Sequence, residues 1–331
     1  NRPNVVIVVM ESTRRDAIGK RVDGNVVTPN LEALVAEGGA VESWSHVAFT
    51  TQSLKSIFSG QLAPRKGDPS IFTDFDASGY RIGVFSGQPE DFGDIAETVG
   101  MVKSADVFVD AEKLRDKRAF EFAAKGSLLV DESHLLAAFD EAWGGPGAWD
   151  KPAFLYFNFQ SPHFPYDHDG IADRVTARPL PRGEMQAKRA ADVQRTYWNA
   201  VANADHWLGV LIERLKAAGQ WENTLLIVTG DHGEDLFEDG FLGHGHIINQ
   251  RQYGTFLAAN RKGVLPHGPV GLDDYRAIVD AWVAGKPVPE CGRMPFLHIG
   301  PLDAPTAIGL VGEGGMLTTL RLDTGETCLM E

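Results

Sequence analysis

Asn4-Val-Val-Ile-Val-Val-Met10 is an almost wholly apolar, β-branched run that stops abruptly at Glu11-Ser-Thr-Arg-Arg15. A run this short, with no polar alternation, predicts a central parallel strand buried on both faces. The polar residues after it then stand at the strand's carboxyl end, where open α/β sheets bind their ligands, and Glu11 is placed where chemistry is expected. Two further segments repeat the arrangement. Ala153-Phe-Leu-Tyr-Phe-Asn-Phe159 ends in Gln160-Ser-Pro-His163, and Thr224-Leu-Leu-Ile-Val-Thr229 ends in Gly230-Asp-His-Gly-Glu234. Shorter strands are expected at Arg81 to Phe85 and Thr255 to Ala259.

Helical patterns separate these strands. Thr28 to Gly38 reads as a capped helix stopped by glycine, and Thr51 to Phe58 as a short one. Further helices are expected at Glu112 to Ala124, Asp131 to Trp143, Ala187 to Ala218 and Asp273 to Ala284. Strands alternating with helices predict an α/β fold with a mostly parallel central sheet flanked by helices. The main domain is expected over 1–264, and 265–331 as a small α+β subdomain packed on it.

Composition narrows the function classes. The chain has 331 residues, 43% hydrophobic and 23% charged, with a formal net charge of −14. That balance is globular. Its sign speaks against nucleic acid as a partner, since phosphate backbones demand a basic surface, and against a polybasic dock on anionic lipid. The longest apolar run, Val5 to Met10, is far short of the ~20 residues that span a bilayer, so a membrane anchor or signal peptide would have to lie upstream of Asn1. Cys291 and Cys328 are too few for a zinc ribbon; one disulfide and two free thiols are both open readings.

The candidate chemistry gathers at the strand ends. Asp231 and His232, side by side after a buried strand, offer oxygen and nitrogen to one cation, a donor set that suits zinc or manganese. His244 and His246 follow in the glycine-rich loop Gly243-His-Gly-His-Ile247. Thr50, Thr51 and Ser53 put hydroxyls around the start of a helix, whose free N–H groups and dipole suit a phosphoryl oxyanion; simple N-capping is the plainer alternative.

Taken together and in order, these motifs resemble the sulfatase-like branch of the alkaline phosphatase superfamily. The likeness is strongest to lipoteichoic acid synthase and the phosphoethanolamine transferases, and it runs from about Asn4 to Asn260. The resemblance implies that Glu11, Thr50, Asp231 and His232 hold one divalent metal ion, zinc or manganese, with room for a weak second. Asp167, His168 and His246 are spare donors for that second ion. Counting back nine residues from Ser59-Gly60 selects Thr50 as the nucleophile, with Ser53 three residues on as in the transferases. His163 and His244 correspond to substrate-binding histidines, and His246 and Arg14 are further substrate-binding candidates. Sulfatases mature a cysteine or serine at the nucleophile position and carry Asp-Asp after the first strand; Thr50 and Glu11-Ser12 depart from both.

The resemblance therefore implies a phosphoryl-group transferase. It would move a phosphoglycerol or phosphoethanolamine headgroup from a lipid donor to a glycan acceptor through a phosphothreonine intermediate, on the periplasmic or extracellular face of a bacterial membrane. The alternative is a phosphodiesterase, phosphomonoesterase or phosphonate ester hydrolase with water as acceptor. A sulfatase ranks below these, and a non-catalytic, metal-stabilised binding domain last.

Overall fold

A computed structural model describes residues 2–120, 129–176, 178–291 and 294–330. The strands of the main sheet are β1 (Asn4–Met10), β2 (Gly39–Trp44), β3 (Arg81–Ser86), β4 (Val107–Val109), β5 (Ala153–Phe159), β6 (Thr224–Thr229), β7 (Gly254–Ala259) and β8 (Val270–Gly271). Their order across the sheet is β8-β2-β7-β6-β1-β5-β3-β4. The stretch from β6 to β4 is parallel throughout. β7 runs antiparallel to both β6 and β2, which makes the sheet mixed at that side.

The helices include α1 (Pro29–Glu37), α2 (Thr50–Ser59), α3 (Ile71–Ala77), α4 (Ile95–Thr98), α5 (Met101–Ser104), α6 (Glu132–Trp143), α7 (Ala190–Ala217), α8 (Gln250–Tyr253) and α9 (Tyr275–Val283). The apolar run of β1 is explained by what covers it. Val6, Val8 and Met10 point into one core with Leu31 of α1, Leu135 of α6 and Val201 of α7. Val5, Ile7 and Val9 point into a second core with Leu54 and Phe58 of α2, Phe72 of α3 and Ile278 of α9. A strand covered on both faces cannot alternate polar and apolar residues.

The expected α/β fold is present, as is a separate sheet at the C-terminus. β9 (Phe296–Ile299), β10 (Ala307–Val311), β11 (Leu317–Arg321) and β12 (Thr327–Met330) form an antiparallel meander. A third, small core that includes Trp44, Tyr253, Leu297 and Val311 joins it to the main sheet. His46 reinforces the joint: Nδ1 bonds the Phe296 carbonyl at 2.7 Å and Nε2 meets Asp273 at 2.9 Å.

One expected helix is corrected. Glu112 to Arg118 carries only a 3-10 turn at Arg115–Lys117, and residues 121–128 of that expectation lie outside the described residues. The local cause is Asp110, whose Oδ1 accepts from the Glu112 and Lys113 backbone N–H groups at 3.1 and 3.2 Å and holds a turn there. β2 and α3 had no counterpart in the sequence reading. Both cysteines are free thiols, Cys291 half-buried and Cys328 exposed.

Candidate active site

The carboxyl ends of β1 and β6 and the start of α2 converge. Glu11 leaves β1 and is fully buried, and Ser12 after it adopts a left-handed φ of 51°. That turn carries a cost of roughly 1–3 kcal/mol for a non-glycine residue, and three elements hold it. The Ser12 N–H donates to Asp231 Oδ1 at 2.9 Å, Tyr197 of α7 donates its hydroxyl to the Ser12 carbonyl at 2.6 Å, and Thr255 of β7 bonds the Thr13 carbonyl at 2.9 Å.

Thr50 is the first residue of α2. The residue before it, Phe49, supplies no side-chain cap, so capping by Thr50 or Thr51 is not the arrangement found. The Thr50 hydroxyl turns instead to Glu11, donating to Oε1 at 2.6 Å, and lies 3.3 Å from His232 Nε2. Ser53 is buried and bonds Ser45 and the Val47 carbonyl, which fixes the loop leading into the helix.

His232 directs Nδ1 to the Gly233 carbonyl at 2.8 Å. This leaves Nε2 facing Glu11 Oε1 at 3.7 Å and Asp231 Oδ2 at 3.3 Å. Burial pushes the His232 imidazole down to about 4, so it is neutral and its Nε2 presents a lone pair. Burial, followed by the charge of Asp231, pushes the Glu11 carboxyl well above the usual carboxylate range. Asp231 Oδ2 is buried and has no hydrogen-bond partner. An orphaned carboxylate oxygen among two acidic groups and a neutral imidazole is costly alone and is relieved by a cation. Glu11, Asp231 and His232 each bring a donor atom within 4.8 Å of the others. The residues therefore fit a divalent metal ion.

A second group of the same kind adjoins the first. His232, Glu234 and His244 also converge within 4.8 Å, and the rings of His232 and His244 lie 4.1 Å apart. Glu234, to which the sequence reading gave no role, accepts from Tyr166 at 2.6 Å and His244 Nδ1 at 2.9 Å. Burial alone would push Glu234 up and His244 down. Their mutual attraction and hydrogen bond overcome it and hold Glu234 low and His244 high. His163 hydrogen-bonds the Phe164 carbonyl through Nδ1 at 2.8 Å. Burial lowers its pKa, with the charges of His244, Glu234 and Asp231 close enough to contribute.

The remaining candidates have other partners. The Arg14 guanidinium is engaged by Asp16 at 2.8 Å and Glu238 at 2.6 Å and stacks over Trp198. His246 is exposed, with its ring stacked on Phe241 at 4.9 Å. His168, read as a spare donor, faces Asp131 across 3.9 Å and belongs to neither group of three.

Gln160 is a further residue the sequence did not single out. Its amide reaches Glu11 Oε2 at 3.3 Å and is anchored by Asn158 Oδ1 at 2.9 Å. Its place directly after β5, level with Glu11, was the available signal: the Glu11 N–H bonds the Phe159 carbonyl at 2.9 Å.

Residues 3–257 match the sulfatase family model. Among curated proteins, an arylsulfatase of Clostridium perfringens is 22% identical over 74% of this chain and 66% of its own length. The multifunctional alkaline phosphatase superfamily protein PehA of Trinickia caryophylli is 39% identical over 37% of this chain and 24% of its own. The chain thus spans less than two thirds of the length of these relatives. Among solved structures, lipoteichoic acid synthase LtaP of Listeria monocytogenes superposes over 99% of this chain and 86% of its own, with a TM-score of 0.68 and 16% identity. The phosphonate monoester hydrolase of Agrobacterium radiobacter does so over 100% and 89%, with 0.69 and 14%. At these identities the structures attest the fold.

Proposed function

The chain belongs to the sulfatase family of the alkaline phosphatase superfamily, and we propose that within it this protein hydrolyses phosphodiesters, phosphomonoesters or phosphonate esters through Thr50. The observation that carries this reading is the Thr50 hydroxyl at the mouth of the buried group, 2.6 Å from Glu11 and 3.3 Å from His232. A formylglycine cannot be made from threonine, which speaks against sulfate esters as the main substrates.

Glu11, Thr50, Asp231 and His232 would hold one divalent ion, zinc or manganese. Such an ion would lower the pKa of the Thr50 hydroxyl and screen the approach to an anionic ester. Thr50 Oγ1 then forms a bond to phosphorus as the ester P–O bond on the far side breaks, giving a phosphothreonine. Glu11 Oε1 is the acceptor already in place for the Thr50 proton. His244, made more basic by Glu234, is placed to donate to a phosphoryl oxygen or to the departing alkoxide. His163, whose basicity burial lowers, is the other imidazole close to this group. Water then enters from the side the leaving group vacated, releases the acid and returns a proton to Thr50.

A second reading replaces water by an alcohol of a glycan, with a phosphoglycerol or phosphoethanolamine headgroup transferred from a lipid at the outer face of a bacterial membrane. Thr50 and Ser53 favour it, being the pair by which the sequence resembles those transferases. Among the described residues, no helix is long and apolar enough to cross a membrane.

The test is a panel of p-nitrophenyl phosphate, phosphodiester, phosphonate and sulfate esters, assayed with elemental analysis and with manganese or zinc restored after chelation. Turnover of phosphorus esters that needs the metal, and that Thr50→Ala lowers by at least about a thousandfold, is the expected result. Activity confined to sulfate, or a Thr50→Ala variant as active as the parent, would sink the reading.

A further inference from the structure

Tyr166 is fully buried and holds a left-handed φ of 66°. A bulky side chain in that region is an outlier, and it persists only where its surroundings over-determine it. Here they do. The Tyr166 N–H bonds the His163 carbonyl at 2.9 Å, and the His163 N–H bonds the Gln160 carbonyl at 2.9 Å, so two successive turns carry the chain away from the end of β5. The ring meets Phe164 edge-on at 5.5 Å and Tyr197 of α7 at 5.3 Å. Tyr197 is itself fixed, with its hydroxyl between the Ser12 carbonyl at 2.6 Å and the Arg14 N–H at 3.0 Å. The phenol of Tyr166 is thus a rigid post, built out from β5 and braced by α7.

What the post holds is not rigid by itself. The phenol donates to Glu234 Oε1 at 2.6 Å, while Glu234 Oε2 meets His244 Nδ1 at 2.9 Å. The last torsion of a glutamate is soft. A bond to one oxygen leaves the carboxylate free to tilt, and bonds to both fix its plane. His244 depends on that plane, because its own backbone is permissive. It stands between Gly243 and Gly245, whose φ values of 105° and 79° belong to the region that glycine enters freely. With Nδ1 taken by Glu234, Nε2 is the nitrogen left for a substrate.

We propose that Tyr166 is a positioning residue for the reaction. By closing one oxygen of Glu234 it fixes the carboxylate that aims His244, and so keeps that imidazole in register with His163, three residues before Tyr166 on the same loop. The inference rests on the reading that His244 serves the phosphoryl group. Tyr166 exchanges no proton and touches no substrate in this role. A core tyrosine with a satisfied hydroxyl is the plainer reading, and it predicts lost stability with turnover intact.

Tyr166→Phe removes the hydroxyl and keeps the ring. On the p-nitrophenyl phosphorus ester that the parent turns over fastest, kcat is expected to fall about tenfold, with KM and the manganese affinity read by calorimetry each within about twofold of the parent. On a His244→Ala background the same substitution is expected to cost less than about twofold in kcat, because the group through which it acts is gone. Glu234→Gln, which offers one carboxyl oxygen in place of two, is expected to lower kcat at least as far as Tyr166→Phe does. Three results would each overturn the assignment and leave Thr50 and the metal ligands standing: a Tyr166→Phe protein with a lowered melting temperature and the kcat of the parent, an equal loss on the His244→Ala background, or a Glu234→Gln protein as active as the parent. A loss of manganese affinity as large as the loss in kcat would move the effect to the metal ligands and overturn it as well. If His244→Ala turns over the ester as the parent does, the role given to that histidine falls, and this inference with it.

Discussion

Asp205 and Asp231 are both buried aspartates, 1% and 0% exposed, and they show opposite solutions to the same problem. Asp205 sits in the long helix α7 and faces the start of α1. Its two oxygens accept from the backbone N–H groups of Asn30 and Leu31 at 3.0 and 2.8 Å and from the Asn30 amide at 2.9 Å. It caps one helix from another. Burial pushes its carboxyl up to about 6, so it is charged at neutral pH and fully bonded. Asp231 has one oxygen bonded to two backbone N–H groups, and its other oxygen is bare. Burial is common to both; what separates Asp231 from Asp205 is an oxygen left unsatisfied among the other donors of a metal-binding group.

The sharpest way to break this comparison is to delete each acid. Asp231→Ala is expected to lower ester turnover by at least about a thousandfold and to abolish the rise in melting temperature that manganese or zinc gives the parent, a rise worth about 2.7 kcal/mol at a hundred times Kd. Asp205→Ala is expected to keep turnover and metal response but to cost about 3 kcal/mol in urea unfolding, because buried N–H donors lose their acceptor. Equal metal responses in the two variants would end the distinction.

Gln160 supplies a smaller effect. Gln160→Leu removes the amide that steadies Glu11, and a loss of about tenfold in metal affinity, read by calorimetry, is expected.

A separate, pH-dependent effect concerns a third way of neutralising a buried acid. Glu90 is fully buried. Its Oε1 accepts from Ser86 at 2.5 Å and Tyr156 at 3.1 Å, while Oε2 has no partner. Burial pushes this carboxyl up to about 7, so a proton takes the place of a cation. The folded state holds that proton between the unfolded value of 4.5 and about 7, where the unfolded chain has lost it. Stability contributed by Glu90 therefore falls as pH rises through that window and is flat above it. Glu90→Gln is expected to flatten the decline, which amounts to at most about 3 kcal/mol, when urea unfolding is compared at pH 5 and pH 7.

The strands that build the site were legible because each is covered on both faces, and a doubly covered strand has no choice but to be apolar. β2 was not. Its residues Gly-Ala-Val-Glu-Ser-Trp are only half-buried over most of their length, and it is held by antiparallel pairing to β7, which lies more than two hundred residues further along the chain. The site divides in the same manner. Glu11 and His232 could be placed because they follow such strands at once. The tie between Glu234 and His244 and the support of Gln160 could not, since each depends on how loops fold back toward the sheet. Arg14 shows the same limit. Its position is near the site, but the carboxylates of Asp16 and Glu238 that claim its guanidinium are visible only in three dimensions.

Every residue of the site hangs from the carboxyl ends of the parallel strands, and the turns at their amino ends carry none of it. The exposed turn Gly144-Gly145-Pro146-Gly147 between α6 and β5 is such a place. For protein engineering this makes the molecule two-sided: a reporter or affinity module spliced in there would ride on the edge of the sheet facing away from Thr50, free to be exchanged without disturbing the end at which substrates arrive.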